Sequence, residues 1–118
     1  MSQGIVRLSY DGDEPELYEA QIDTWDNPDN GAAYEIHFSG VGVDGPFRGS
    51  CILERVERGW TYTGKGRWQE NDEDEVYSGT IRAQLQLQMQ GKLHVLNGEW
   101  LDRGDNEPYD LHIAIENR

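Results

Sequence analysis

The sequence is short of positive charge. Its 118 residues hold 10 Lys+Arg against 23 Asp+Glu, a formal charge of −13. Binding to DNA or RNA draws affinity from Lys and Arg that displace counterions, so no direct nucleic-acid binding is expected. An anionic membrane surface repels the chain for the same reason. Cysteine is almost missing: Cys51 stands alone, which leaves no internal disulfide and no thiolate pair for zinc. A reducing, cytoplasmic setting fits that usage, with Cys51 as a small core residue. No run approaches the roughly 20 apolar residues of a membrane-spanning helix. The opening Met1-Ser2-Gln3-Gly4 lacks a basic start followed by an apolar stretch, so no secretory leader is expected. Helical spacing is missing as well, since no window carries an apolar stripe at i, i+3, i+4.

What the chain does hold is aromatic residues and alternation. Four Trp, six Tyr and two Phe are spread along its length, enough for an ordered core and too many for a disordered chain. Tyr18-Ala20-Ile22 alternate with Glu19-Gln21-Asp23, and Tyr34-Ile36-Phe38 with Glu35-His37-Ser39. The longest case puts Tyr77, Gly79, Ile81, Ala83, Leu85, Leu87 and Met89 on one face and Ser78, Thr80, Arg82 and four glutamines on the other. Successive side chains of a strand point to opposite faces, so these are half-buried strands with one wet side.

The breaks give about eight strands, at 4–10, 16–25, 33–40, 46–57, 60–68, 76–89, 92–101 and 108–116. Arg58-Gly59 and Gln90-Gly91 are read as tight hairpins, because glycine accepts the positive φ such turns require. Strands of this length, with glycines inside them (Gly49, Gly64, Gly66, Gly79, Gly98), suit a sheet that curls. The expected fold is a single all-β domain over residues 1–118. It is an antiparallel up-and-down barrel or a strongly bent meander, with a two-sheet sandwich as the alternative.

One regularity recurs. Gly66-Arg67-Trp68 and Gly98-Glu99-Trp100 open segments that align at a period of 32. In both, Tyr follows Trp by nine (Tyr77, Tyr109), an acid precedes that Tyr by two (Glu75, Glu107), and Ile follows it by four (Ile81, Ile113). Trp25, Tyr34 and Phe38 make a partial third copy. Each copy reads as a strand ending in Trp, a polar loop, and a strand opening with Tyr, the two rings facing each other at the hairpin mouth. Trp25 shares parity with Asp23 and Gln21, so a bulge is required before its ring can point inward. An up-and-down count also puts the loop after Trp25 at the end opposite the other two.

The acidic loops Asn71–Glu75 and Asp102–Glu107 are read as solvated turns, and no metal or cofactor is expected. Asp26-Asn27-Pro28-Asp29-Asn30-Gly31 is similar to the start of an EF-hand loop, but His37 stands where the bidentate Glu belongs. Arg103-Gly104-Asp105 spells an adhesion tripeptide by coincidence. His37 and His112 fall on the polar parity; His94 shares a face with Leu96 and Trp100 and is expected to be partly buried. No nucleophile elbow and no phosphate-cradling glycine loop is present. Gly45-Pro46-Phe47-Arg48-Gly49 resembles a strand of avidin-type barrels, and Trp-bearing strands joined by hairpins are similar to the calycin group, which includes the lipocalins. The resemblance implies a calycin-like barrel. The Gly-x-Trp near the start of those families is replaced here by Gly4-Ile5-Val6, and no binding residue carries over.

Three functional readings fit these features, ranked as given. The first is a non-enzymatic interaction or accessory module, in which Asp72, Glu73, Asp74, Glu75, Asp102, Asp105 and Glu107 meet a basic protein partner and gain association rate from steering. The second is a small-ligand barrel in which Trp60, Trp68, Tyr77, Trp100, Tyr109 and His94 line or lid a pocket for an apolar or flat ligand. The third is a barrel isomerase or hydratase using His94 with a neighbouring carboxylate. Mimicry of nucleic acid ranks low, because Arg48, Arg55, Arg58, Lys65, Arg67, Arg82 and Lys92 interrupt any continuous acidic face.

Overall fold

Alternation across the pleat decides the architecture. The computed structural model describes residues 3–13, 15–27, 33–42, 45–56, 59–70 and 74–116. They form eight strands: β1 (Gln3–Tyr10), β2 (Glu16–Asp26), β3 (Ala33–Gly42), β4 (Gly45–Arg55), β5 (Thr61–Glu70), β6 (Tyr77–Gln88), β7 (Leu93–Asp102) and β8 (Tyr109–Glu116). Each strand pairs antiparallel with the next, and β8 closes onto β1 with Val6 opposite Ile113. The expected up-and-down barrel is therefore the fold, in place of the sandwich alternative; closure leaves no unpaired sheet edge. The helical content among the described residues is one 3-10 turn, Met89–Gly91.

One face of every strand fills the interior. Val6, Ile36, Leu53, Leu96, Ile113 and Ile115 are buried, and Cys51 is a core residue at 1% exposure. The other face carries charge, as at Arg7, Glu19, Glu35, Arg48, Lys65, Arg82, Glu99 and Asp110, all exposed. That is the reverse of the apolar outer band of membrane-spanning barrels. Among the described residues no helix is long and apolar enough to cross a membrane.

Two irregularities break the regular ladder. The register of β2 on β3 shifts between Ile22 and Thr24, leaving Asp23 as the extra residue of a bulge. The bulge reverses parity, and Trp25 turns inward onto the core as its position required. At the other irregularity, the expected strand 76–89 stops at Gln88. Met89 and Gln90 adopt positive φ (51° and 60°) and Gly91 continues at 84°, which makes the tight turn. Leu87 and Met89 thus run past the end of the core and are 43% and 68% exposed, a correction to their expected place on the buried face.

The up-and-down order sorts the loops. Those after β1, β3, β5 and β7 lie at one end of the barrel; those after β2, β4 and β6 lie at the other.

Candidate functional site

The Trp–loop–Tyr repeats meet at the first of these ends. Pairing places Trp68 opposite Tyr77 and Trp100 opposite Tyr109. Trp68 and Tyr77 stack, with centroids 4.4 Å apart and planes at 19°. Tyr18 joins from β2, edge-on to Phe47 (5.9 Å, 83°) and to Tyr109 (6.2 Å, 68°). Trp68, Tyr18, Phe47 and Tyr109, with Leu8, Phe38, Trp100 and Asp102, wall a cavity in which the centre of a water-sized sphere has about 20 Å³.

Trp100 is 1% exposed, and two glycines make room for it. Gly66 and Gly79 are direct partners across β5 and β6, and a Cβ on either would overlap the Trp100 indole. The slot they leave lets the indole lie across the barrel and aim its N–H at Asp102. Asp102 shares the inward parity of Trp100 and is half-buried. Its Oδ1 accepts the Trp100 indole N–H at 2.8 Å and that of Trp68 at 3.3 Å. The turn behind it is fixed, with the Asp105 N–H donating to the Asp102 carbonyl (3.0 Å) and Gly104 supplying φ +92°. That conformational need accounts for the glycine of Arg103-Gly104-Asp105. Removal from water raises the Asp102 pKa, and the nearby Asp105 charge adds to this; the two indole N–H groups oppose it. No cation among the described residues pairs with it.

Around this pocket lies a rim of carboxylates, three of them held by tyrosines. The Tyr10 hydroxyl donates to Glu107 (2.7 Å), Tyr109 to Glu16 (2.7 Å) and Tyr77 to Glu75 (3.4 Å). Tyr10 and Tyr109 lie 5.5 Å apart and line a groove with Asp13, Glu16, Asp105, Asn106 and Glu107. Burial, then the Glu16 carboxylate, push the Tyr109 phenol well above its ordinary pKa, and the Glu107 bond raises that of Tyr10. Both stay protonated and act as donors.

The opposite end is built around a histidine. His94 is 9% exposed, and its Nδ1 lies 2.6 Å from the Tyr34 hydroxyl. Trp25 stacks on Tyr34 (6.4 Å, 23°) and Tyr62 meets it edge-on (5.3 Å, 70°). Burial lowers the His94 pKa against an opposing hydrogen bond to the Gly91 backbone, and burial raises that of Tyr34. The ring is therefore neutral: Tyr34 donates to Nδ1, and the proton assigned to the imidazole sits on Nε2. No carboxylate among the described residues hydrogen-bonds the ring.

The expected aromatic set is thus divided. Trp68, Tyr77, Trp100 and Tyr109 gather at one end and His94 lies at the other. Trp60 is 59% exposed outside that second end, its carbonyl accepting the Leu85 N–H at 2.7 Å. Of the acidic set, Asp74, Glu75, Asp105 and Glu107 are exposed at the aromatic end, whereas Asp102 turns inward. Asp72 and Glu73 lie outside the described residues. Sequence reasoning missed Tyr10, Glu16 and Tyr18. The available signal was the pair of tyrosines flanking the acidic segment 11–16, which lacks the Trp that made the other hairpins visible. Among the described residues no three His, Cys, Asp or Glu side chains are grouped to hold a metal.

Positive charge gathers on the outer wall of β4–β6, while Arg103 places one exposed cation in the β7–β8 turn at the acidic end. Arg67 stands opposite Ser50 and Ser78, and Lys65 opposite Ile52 and Thr80. None of Arg48, Lys65, Arg67 and Arg82 makes an ion pair with a described residue. The molecule is polarised between a basic wall and an acidic, ring-lined mouth. Fold and site together define a small closed barrel with an aromatic pocket beneath an acidic rim. No family model, no curated protein and no solved structure matches the chain.

Proposed function

We propose that the protein is an interaction module that receives a basic protein partner at the acidic end of its barrel. The observation that carries this reading is the holding of Glu16, Glu75 and Glu107 by the hydroxyls of Tyr109, Tyr77 and Tyr10. A carboxylate already fixed in position loses little freedom on meeting a Lys or Arg, so more of the contact energy remains as affinity. The same charges speed encounter, and the basic wall disfavours wrong orientations. A cytoplasmic setting belongs to the same reading.

The test uses a short oligolysine peptide as the basic probe. Its affinity is expected to fall steeply between about 50 mM and about 500 mM salt. Replacing Glu16, Glu75 and Glu107 by Gln weakens it far more than the equal change Asp26→Asn, Glu35→Gln, Glu54→Gln at and near the other end. Equal losses in the two triple variants, or binding indifferent to salt, overturn the reading.

A further inference from the structure

The pocket below the rim has a narrower chemistry than the rim. We propose that it receives a primary alkylammonium, the tip of a lysine of the basic partner, with Asp102 as its counter-charge among Trp68, Trp100, Tyr18 and Tyr109. This deepens the proposed function and rests on it for the source of the lysine.

Three observations carry it. The first is size. A cavity of about 20 Å³ holds one water-sized group, since a single water requires roughly 10–15 Å³ on that measure. An ammonium head is of that size, whereas a guanidinium or a flat ring is several times larger. The second is charge. Asp102 is half-buried and faces inward, and its Oδ1 takes both indole N–H groups. Its second oxygen accepts no hydrogen bond among the described residues, and no cation is paired with it. That oxygen still touches solvent, but half-burial without a counter-ion leaves the carboxylate only partly solvated, and an incoming ammonium offsets the loss. The third is the wall. Aromatic faces attract a cation and cover the apolar shaft of a lysine. The glycine pair at 66 and 79 exists to place one of those rings. Together these specify a positive, water-sized tip on an apolar stem.

The experiment tracks the indole N–H signals of Trp68 and Trp100 by NMR in the whole protein, with n-butylammonium as the probe and n-butanol as its uncharged match. The expected result is saturable movement of both signals with the amine and none with the alcohol. In Asp102→Asn, which keeps an oxygen for both indoles, the amine is expected to bind about tenfold more weakly or worse, as for loss of a charge-assisted bond. Unmoved signals, equal response to the alcohol, or undiminished binding in Asp102→Asn each overturn the proposal. The oligolysine peptide separates this site from the rim. If the peptide binds through the rim, leaves both indole signals in place and ignores Asp102→Asn, the pocket proposal falls and the rim reading stands. If the free amine binds as expected but the rim variants leave peptide affinity unchanged, the rim reading falls, and with it a partner's lysine as the source.

Discussion

Trp68 and Trp100 stand 32 residues apart on strands that are not neighbours in the sheet, yet their indole nitrogens lie 3.3 and 2.8 Å from one oxygen of Asp102. The period of the hairpin repeat is what makes this possible. It returns the chain to the same end after two strands, with the same side-chain parity, so that equivalent tryptophans converge on one point. An inward carboxylate at the end of β7 then bridges them.

Replacing Gly79 by Ala tests that convergence. The added methyl overlaps the Trp100 indole nitrogen, and Gly66 on the facing strand leaves no slack, because the ring fills both gaps. Overpacking of this kind costs about 1–3 kcal/mol. Urea unfolding is expected to show that loss together with a displaced Trp100 indole N–H signal. A stable variant with the signal unmoved contradicts the close fit.

Much of this fold was legible. Alternation from Tyr77 onward, the hairpin chemistry of Gln90-Gly91 and the odd parity of Trp25 pointed to strands, turns and even the bulge, because each is a local consequence of backbone geometry. The site was legible only where it repeated. Trp68/Tyr77 and Trp100/Tyr109 share one spacing and so pointed to one mouth, but Tyr10, Glu16 and Tyr18 belong to a hairpin whose sequence lacks that Trp spacing, and they enter through barrel closure, a long-range event. Asp102 looked like one more loop acid. Its inward turn depends on β7 extending through Asp102, just past the expected boundary, and boundary positions are what local patterns specify least.

Tyr34→Phe keeps the ring and removes one proton donor. His94 Nδ1 then loses its 2.6 Å partner inside the barrel. A buried acceptor left unpaired costs about 1–3 kcal/mol. The expected measurement is a lower urea midpoint with unchanged circular dichroism. A midpoint equal to the parent shows that the Tyr34–His94 bond contributes nothing net.

His94 also sets a pH dependence. Its folded pKa lies below the ordinary 6.5 because burial disfavours the charged ring. Between the lowered value and 6.5 the unfolded chain binds more protons, so stability rises with pH across that window and is lost as pH falls below 6.5. In His94→Gln this contribution is absent. Unfolding at about pH 7.5 and about pH 5 should therefore show a smaller acid loss in the variant than in the parent. Equal losses contradict the assignment.

Cys51 is 1% exposed, and burial pushes its thiol up to about 12. Only the thiolate attacks a disulfide reagent, so the folded protein is expected to react at the rate at which the barrel opens. Labelling with an aromatic disulfide should be slow in buffer and prompt in urea. Fast labelling of the folded protein contradicts the packing around Cys51.

Deleting Asp23 is the sharpest test of how sequence sets the second aromatic cluster. Without the extra residue β2 keeps one parity along its length, and Trp25 is turned to the outer wall, away from Tyr34 and His94. Exposing a ring of this size costs roughly 1.5–3 kcal/mol. Trp25 then joins Trp60 as a fluorophore open to acrylamide quenching. Asp23→Ala is the control, since it removes only the hydrogen bond received from Ser39 (3.0 Å) and leaves the residue count of the bulge intact. A deletion variant in which Trp25 stays shielded means that the bulge migrates to a neighbouring residue, and that burial of the indole, not the position of Asp23, decides where the strand bends.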